Sequence, residues 1–426
     1  MRSNRLRGAL APLRERDFRL FFAGRTISRL GASFSFVALA FAILEIGGGA
    51  SDIGVVLACF TVSQLVFILV GGVWADRLPR NRVMVAANVV NGFAQLTVAA
   101  IVLTGVASTW HIAALAAVNG LAQAFFFPAA QGIVPQLVSK AHLQEANALL
   151  RLSLNATNIG GAALAGLVVA AAGAGWAIAV DAASFFVCAT FLARIRLRRS
   201  KMERSRFVAE LREGWSAFAS RTWLWAIVIA FGFINAFWAA GLNVLGPIVA
   251  KAELGGPAAW GLIAAATGLG LVAGGAVALN WRPQRPLLVG MLTVAGLSLP
   301  LAALAAGVPL AVVVVSAFVA GVGVELFGVF WELSLQQHIP GELLSRVASY
   351  DMLGSIALMP VGFVVVGPLS DAVGIHRTLW IAAGACAALA AATLGVGDVR
   401  RLRRLEAKEP TETEEGAAAA LAETAG

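Results

Sequence analysis

The amino-acid sequence predicts an all-α membrane protein, with twelve transmembrane helices in two pseudo-symmetric six-helix bundles. Three observations lead there. Of 426 residues, 59% are hydrophobic and only 13% are charged, whereas a soluble domain has about 45–50% apolar and about 25% charged residues. The apolar residues are gathered into twelve runs, each near the roughly 20 residues that cross a bilayer. Short loop motifs recur at one fixed displacement, which points to a duplicated unit.

The runs are Phe18–Ile46, Ile53–Trp74, Val83–Leu103, Ile112–Val134, Ala148–Ala172 and Trp176–Leu192. After a charged gap they resume at Trp223–Val249, Ala258–Leu279, Leu287–Ala306, Leu310–Leu335, Val347–Leu369 and Leu379–Val396. We number them helices 1 to 12. Helices are the expected state because lipid cannot satisfy an open backbone, and the runs are too long and continuous for barrel strands.

Orientation follows from Lys and Arg. If the N-terminus is cytoplasmic, 27 of the 32 basic residues fall in the inner tails and loops, counting Arg19 with the N-terminal tail. The outer loops hold only Lys251 and Arg377, and Arg25, Arg29 and Arg151 lie within or at the start of helices. This asymmetry places both termini inside and the chain in the cell (plasma or inner) membrane. The expected divisions are a cytoplasmic N-terminal tail (1–17), a first bundle (18–193), a basic linker (194–221), a second bundle (222–398) and a disordered cytoplasmic tail (399–426).

The duplication shows in two loops. Gln131-Gly-Ile-Val-Pro135 and Gln336-Gln-His-Ile-Pro340 share a Gln-x-x-x-Pro pattern 205 residues apart, and the same displacement carries Arg77 to Arg282 and Arg80 to Arg285.

Several function classes are excluded. The net charge of +9 lies in short runs between apolar segments, so the expected partner is a lipid bilayer and not nucleic acid. Cys59, Cys188 and Cys386 are far apart inside apolar runs, with no disulfide or metal-ligand spacing. His111, His142, His338 and His376 are isolated, which argues against a metal-dependent enzyme. No P-loop is present, so no cofactor is expected and the energy source is an ion gradient, with protons the expected ion.

The turn after helix 2 reads Gly71-Gly-Val-Trp-Ala-Asp76-Arg77-Leu-Pro-Arg80-Asn-Arg82. It resembles the signature loop of the major facilitator superfamily, Gly-x-x-x-Asp-Arg-x-x-Arg-Arg/Lys, with Gly72, Asp76, Arg77 and Arg80 in place and Asn81 at the final basic position. The Phe18-Arg-Leu-Phe-Phe-Ala-Gly opening and the Gln-x-x-x-Pro loops look like the drug and siderophore exporter branch, which includes macrolide efflux proteins and the enterobactin exporter. A carboxylate such as Asp76 at the membrane surface can sit at a helix N-terminus, worth about 0.3–1 kcal/mol. The resemblance implies that this neighbour is helix 11, near Arg346. Asp76 is then expected to contact Arg346 or adjacent N–H groups, with Arg77 or Arg80 on Glu342 or Asp351, closing the cytoplasmic side. The second half has Trp281 in place of Asp76, so the latch is expected on one side only.

Charge inside the bilayer is the best pointer to mechanism. Arg25 and Arg29 are four apart on helix 1, and Glu325 and Glu332 are seven apart on helix 10, so each pair shares a face. The resemblance implies that helices 1, 4, 7 and 10 line a central cavity. Helix 4 offers Asn119 and Gln123, and helix 7 offers Asn235, Trp238 and Asn243; Phe34, Phe36, Phe125, Phe126, Phe127 and Phe237 add an apolar wall. Glu325 is the expected proton carrier, with Glu332 and Asp181 as further candidates. An Arg29–Glu325 contact that breaks during transport would switch its protonation, because an apolar setting favours the neutral acid and a nearby Arg the carboxylate. A permanent ion pair is the alternative reading of the same residues, and a hydrogen bond to Ser184 is the alternative for Asp181.

Small residues at Gly160–Gly166, Gly268, Gly270, Gly274 and Gly275 would let helices rock past one another. Gly161-Ala162 stands where antiporters of the superfamily often carry Gly-Pro. The function expected is a monomeric, proton-coupled exporter of small amphipathic molecules. An exporter of siderophores or other anionic metabolites, and a non-transporting sensor on the same scaffold, remain open.

Overall fold

The computed structural model describes residues 10–139, 142–196 and 207–405. Among these there is no strand, and twelve helices are long and apolar enough to cross a membrane. They are α1 (Arg16–Glu45), α2 (Ala50–Arg77), α3 (Arg80–Leu103), α4 (Thr109–Leu137), α5 (Leu143–Ala172) and α6 (Ala174–Ala193). The second set is α7 (Thr222–Glu253), α8 (Pro257–Asn280), α9 (Pro286–Ala305), α10 (Leu310–His338), α11 (Gly341–Val373) and α12 (Ile375–Thr393). Each matches one apolar run, and most extend into polar residues at one or both ends.

Local chemistry sets the boundaries. Ser108 caps α4 by accepting the His111 N–H at 3.4 Å. Pro257 and Pro286 sit in the first turns of α8 and α9, where no N–H is needed. Gly173 joins α5 to α6 in a one-residue turn at φ 88°, ψ 165°, and Gly374 joins α11 to α12 at φ 91°, ψ 151°. That region is open essentially only to glycine. The two turns occupy corresponding places in the two halves, as do Gly105 after α3 and Gly307 after α9, both also at positive φ.

Two helices change pitch along their length. A π turn at Thr157–Gly161 interrupts α5, and another at Ala240–Leu245 interrupts α7. The first falls at the Gly161-Ala162 stretch. A π turn widens the helix and re-aims the residues on either side, which is why such turns gather at functional sites.

The halves touch closely at one end. A Cβ on Gly166 of α5 would fall 2.6 Å from the Pro257 carbonyl oxygen of α8. On the other flank Gly54 of α2 lies against the Phe363 carbonyl of α11, and Gly367 of α11 against Ser51. Lys251 Nζ donates to the Leu44 carbonyl at 3.0 Å across the same end. Along α1 at this end, Val37, Ala38, Phe41, Ala42 and Ile43 are almost fully covered.

Toward the other end, which bears the basic loops, the halves part. There Arg151 of α5 and Glu332 of α10 face each other at 3.9 Å with side chains 74% and 58% exposed. The described residues are thus closed at one end and open at the basic end.

Two of the connecting segments carry structure of their own. Within the segment read as a plain linker, Phe207–Ala219 forms a helix, and its exposed and covered faces explain why. Trp215 stacks on Phe218 at 5.6 Å, and both meet Tyr350 of α11. The start of the C-terminal tail is also ordered. Gly397–Arg401 is helical, Arg404 N–H donates to the Gln284 carbonyl at 3.0 Å, and Leu405 exchanges two hydrogen bonds with the Gln337 side chain. The tail beyond residue 405 lies outside the described residues.

The single-residue turns give a direct check. Gly173→Ala and Gly374→Ala are each expected to destabilise the protein by about 1–3 kcal/mol. Gly160→Ala, helical and with open space around its Cβ, should be neutral or slightly stabilising. Thermal unfolding in detergent reads all three, and an unchanged midpoint for Gly374→Ala would contradict the turn geometry.

Candidate functional site

The ionisable residues of the interior fall into three groups. At the basic-end opening, Glu332 pairs with Arg151 across the two halves. Glu325, two turns deeper on α10, lies against α8, where a Cβ on Gly274 would come 2.9 Å from its own Cβ. Glycine at 274 and 275 leaves room beside α8 for that carboxylate.

The two arginines of α1 make a second group. Arg25 Nη1 donates to the Ala130 carbonyl of α4 at 3.4 Å, and its guanidinium lies 5.5 Å from the Phe21 ring centre. Arg29 Nη1 donates to the Leu150 carbonyl of α5 at 3.3 Å. Both therefore bridge helices of the first half. The Arg29–Glu325 pair expected from sequence is not made in this state, because Arg29 is held by Leu150 and Arg151 takes the cationic place near α10.

The third group lies inside the first half. Asp181 of α6 is 1% exposed. Its Oδ2 accepts from Gln95 Nε2 of α3 at 3.0 Å, and Ser184 Oγ lies 3.4 Å from its Oδ1. The same Gln95 nitrogen reaches Ser35 of α1 at 2.6 Å. Gly31 makes this approach possible, since a Cβ there would collide with Ser184 and Asp181. Asn119 and Gln123 of α4 line the same cavity as Asp181.

On α7, Asn235 Nδ2 donates to the Ser355 carbonyl of α11 at 2.9 Å. Trp238 buries an indole N–H with no protein acceptor, and Asn243 sits half-buried in the π turn. Phe127 is half-buried on α4, whereas Phe34 is buried and Phe36 is 52% exposed. The largest aromatic assembly is elsewhere: Phe231 stacks on Phe327 at 4.4 Å, Phe327 on Trp331 at 5.8 Å, and Trp223 meets Trp331 edge-on.

At the basic surface, Gly72, Asp76 and Arg77 lie in the last turns of α2, and the side chains of Asp76 and Arg77 are outside what the structure describes. Arg80 donates to the Gly132 carbonyl of α4, within its own half. Arg346 of α11 binds Glu213 of the linker helix at 2.6 Å, and Glu342 is exposed beside it. Asp351 accepts from Trp331 Nε1 at 2.9 Å and from Ser355 at 3.3 Å. Glu213 and Arg151 are the functional candidates that sequence reasoning passed over. Glu213 carries a legible signal, because Phe207, Leu211, Trp215 and Phe218 recur at helical spacing around it.

Comparison with known proteins bears on this arrangement. Residues 21–356 match the Major Facilitator Superfamily profile. The multidrug efflux pump Tap of Mycolicibacterium fortuitum is 27% identical over 387 residues, covering 84% of this chain and 90% of that protein. Macrolide efflux protein A of Streptococcus pyogenes is 22% identical, covering 90% and 97%. Among solved structures, a bacterial homolog of the human lysosomal transporter Spinster, inward-facing and unoccupied, superposes with a TM-score of 0.73 at 13% identity, over 92% of this chain and 98% of that one. These are transporters and not enzymes. With twelve helices in the matching fold and a profile match over most of its length, the chain belongs to the major facilitator superfamily and is a multi-pass membrane transporter.

Proposed function

We propose that the protein is a proton-coupled exporter of small amphipathic molecules, working by alternating access in the cell membrane with both termini in the cytoplasm. The observation that supports this most is the opening at the basic end, where Arg151 and Glu332 stand exposed between halves that are sealed together at the other end. The excess of Lys and Arg assigns that end to the cytoplasm. The cavity then faces the compartment from which an exporter loads. The direction of transport rests on the efflux activity in the names of the two relatives, since an importer also opens to the cytoplasm.

In this reading Glu325 carries the coupling proton. It lies beside the glycines of α8, and closure of the opening brings Arg151 and the first half toward it. A cation arriving favours loss of the proton, and its withdrawal favours uptake. Glu332 sits at the entrance and exchanges Arg151 with Glu325. Arg25 and Arg29 pair with no carboxylate among the described residues, which favours an anionic molecule as the second reading of the substrate.

The basic-side latch becomes an exchange of partners. Arg346 is held by Glu213 in the open state, and Asp76 would take it when the cytoplasmic side closes. Exposed pairs of this kind are worth about 0.2–1 kcal/mol, so each partner can bias the two states by up to about fivefold.

Two measurements follow. Glu325→Gln in liposomes is expected to cut transport driven by a pH gradient by about an order of magnitude or more while substrate still binds; undiminished uphill extrusion would remove Glu325 from the coupling step. Glu213→Gln should shift the population toward the cytoplasmically closed state, and Asp76→Asn toward the open one. Thiol labelling of Gly328→Cys at the opening reads this, and equal labelling in both variants would contradict the exchange.

A further inference from the structure

The first half contains a cavity of about 210 Å³ enclosed by α1, α2, α3, α4 and α6. It holds an unusual set of polar atoms for the interior of a membrane protein. The Asp181 carboxylate lines it, with the neutral side chains of Ser35, Gln95 and Ser184 as its hydrogen-bond partners. Among the described residues no Lys or Arg pairs with it. Asn91 of α3, also 1% exposed, has neither its amide oxygen nor its amide nitrogen bonded to protein, and Asn119, 8% exposed, has an unbonded Oδ1. Both side chains line the same space.

Buried polar groups in a bilayer are costly unless partnered, and an intramembrane carboxylate marks a ligand or ion path. Here one carboxylate and the unbonded amide atoms of two asparagines line one cavity with no cation from the protein to answer them. The remaining wall is apolar, and includes Leu39 and Phe60. At the mouth, Ala32 and Phe36 are exposed on α1, on the helical face that also carries Arg25. The pocket therefore opens along the face of α1 read as lining the central cavity.

We propose that this pocket is a substrate subsite for the protonated amine of a hydrophobic molecule. Asp181 is the counter-ion, and the side-chain oxygens of Asn91 and Asn119 accept the remaining ammonium N–H bonds. The cavity has room for an organic group, being several times the roughly 30 Å³ that a water takes up in the liquid. The apolar wall receives the carbon attached to the nitrogen, and the carboxylate excludes an anionic head group. Gln95 holds the Asp181 carboxylate in place through its Nε2. The proposal rests on the reading of the chain as a carrier of amphipathic molecules and narrows that class to amines.

The test is equilibrium binding to the full-length purified protein in lipid nanodiscs, with 1-naphthylmethylamine and its neutral counterpart 1-naphthalenemethanol. The wild-type protein is expected to bind the amine about ten- to a hundredfold tighter than the alcohol, the range typical of a buried hydrogen bond to a charged group. Asp181→Asn should reduce that preference to within about twofold while alcohol binding is retained. If Asp181→Asn does not fold, Asn119→Leu and Phe36→Trp serve instead, the first weakening the amine selectively and the second blocking both probes at the mouth. A wild-type protein that binds both probes equally, or a preference that survives these changes, overturns the subsite. Because binding is read without transport, loss of amine preference in a protein that still exports defeats only this inference. Amine preference in a protein that moves nothing defeats only the exporter reading.

Discussion

The arrangement depends on how two apolar bundles can hold together in lipid and still move. Burying hydrocarbon gains nothing there, since the surrounding chains are equally apolar, so association relies on close packing of small residues and a few polar contacts. The structure meets this with backbone-to-backbone approaches at Gly54, Gly166, Gly261 and Gly367, all near one end. No ion pair crosses there among the described residues; Lys251 reaches only a carbonyl. Such a seam is tight when closed and is held without a cross-half ion pair among the described residues.

The charges sit where that motion would be felt. Arg151 and Glu332 stand on opposite halves at the open end, and Glu325 lies deeper on the same helix as Glu332. A change in the angle between the halves alters the distance from Arg151 to both carboxylates. The arginines of α1 are anchored on carbonyls of α4 and α5, so they travel with the first half as part of its wall. The linker helix is fixed to α11 through Glu213 and the Trp215–Phe218–Tyr350 cluster, so it follows the second half.

The number, order and approximate limits of the spans were legible because hydropathy and helix length are set by the same bilayer. Where polar residues continue a helix past its apolar run, as at Ala50–Ser51, Gly341–Arg346 and Lys251–Glu253, hydropathy could not see it. The π turns at Thr157–Gly161 and Ala240–Leu245 are not legible, since Gly and Asn weaken a helix without saying whether it widens, breaks or continues. Asp181 stands out in the sequence as a candidate, but its setting does not: Asn91 and Gln95 are four apart on α3, a helix outside the four expected to line the cavity, and only packing brings them to α6. Arg151 was read as a helix-start residue because its partner Glu332 is 181 positions away along the chain. Long-range pairs of this kind follow from the fold and not from spacing.

The most direct test of a rocking carrier is a pair of spin-label distances in nanodiscs, measured on one cysteine-free background. Labels at Leu152 and Gly328, both exposed, report the basic end; labels at Val106 and Ala252, exposed on the first and second halves, report the other. Addition of a transported substrate under an imposed pH difference should shorten the first distance and lengthen the second. Distances that stay fixed at both ends, or that change together in the same direction, would contradict alternating access by this chain.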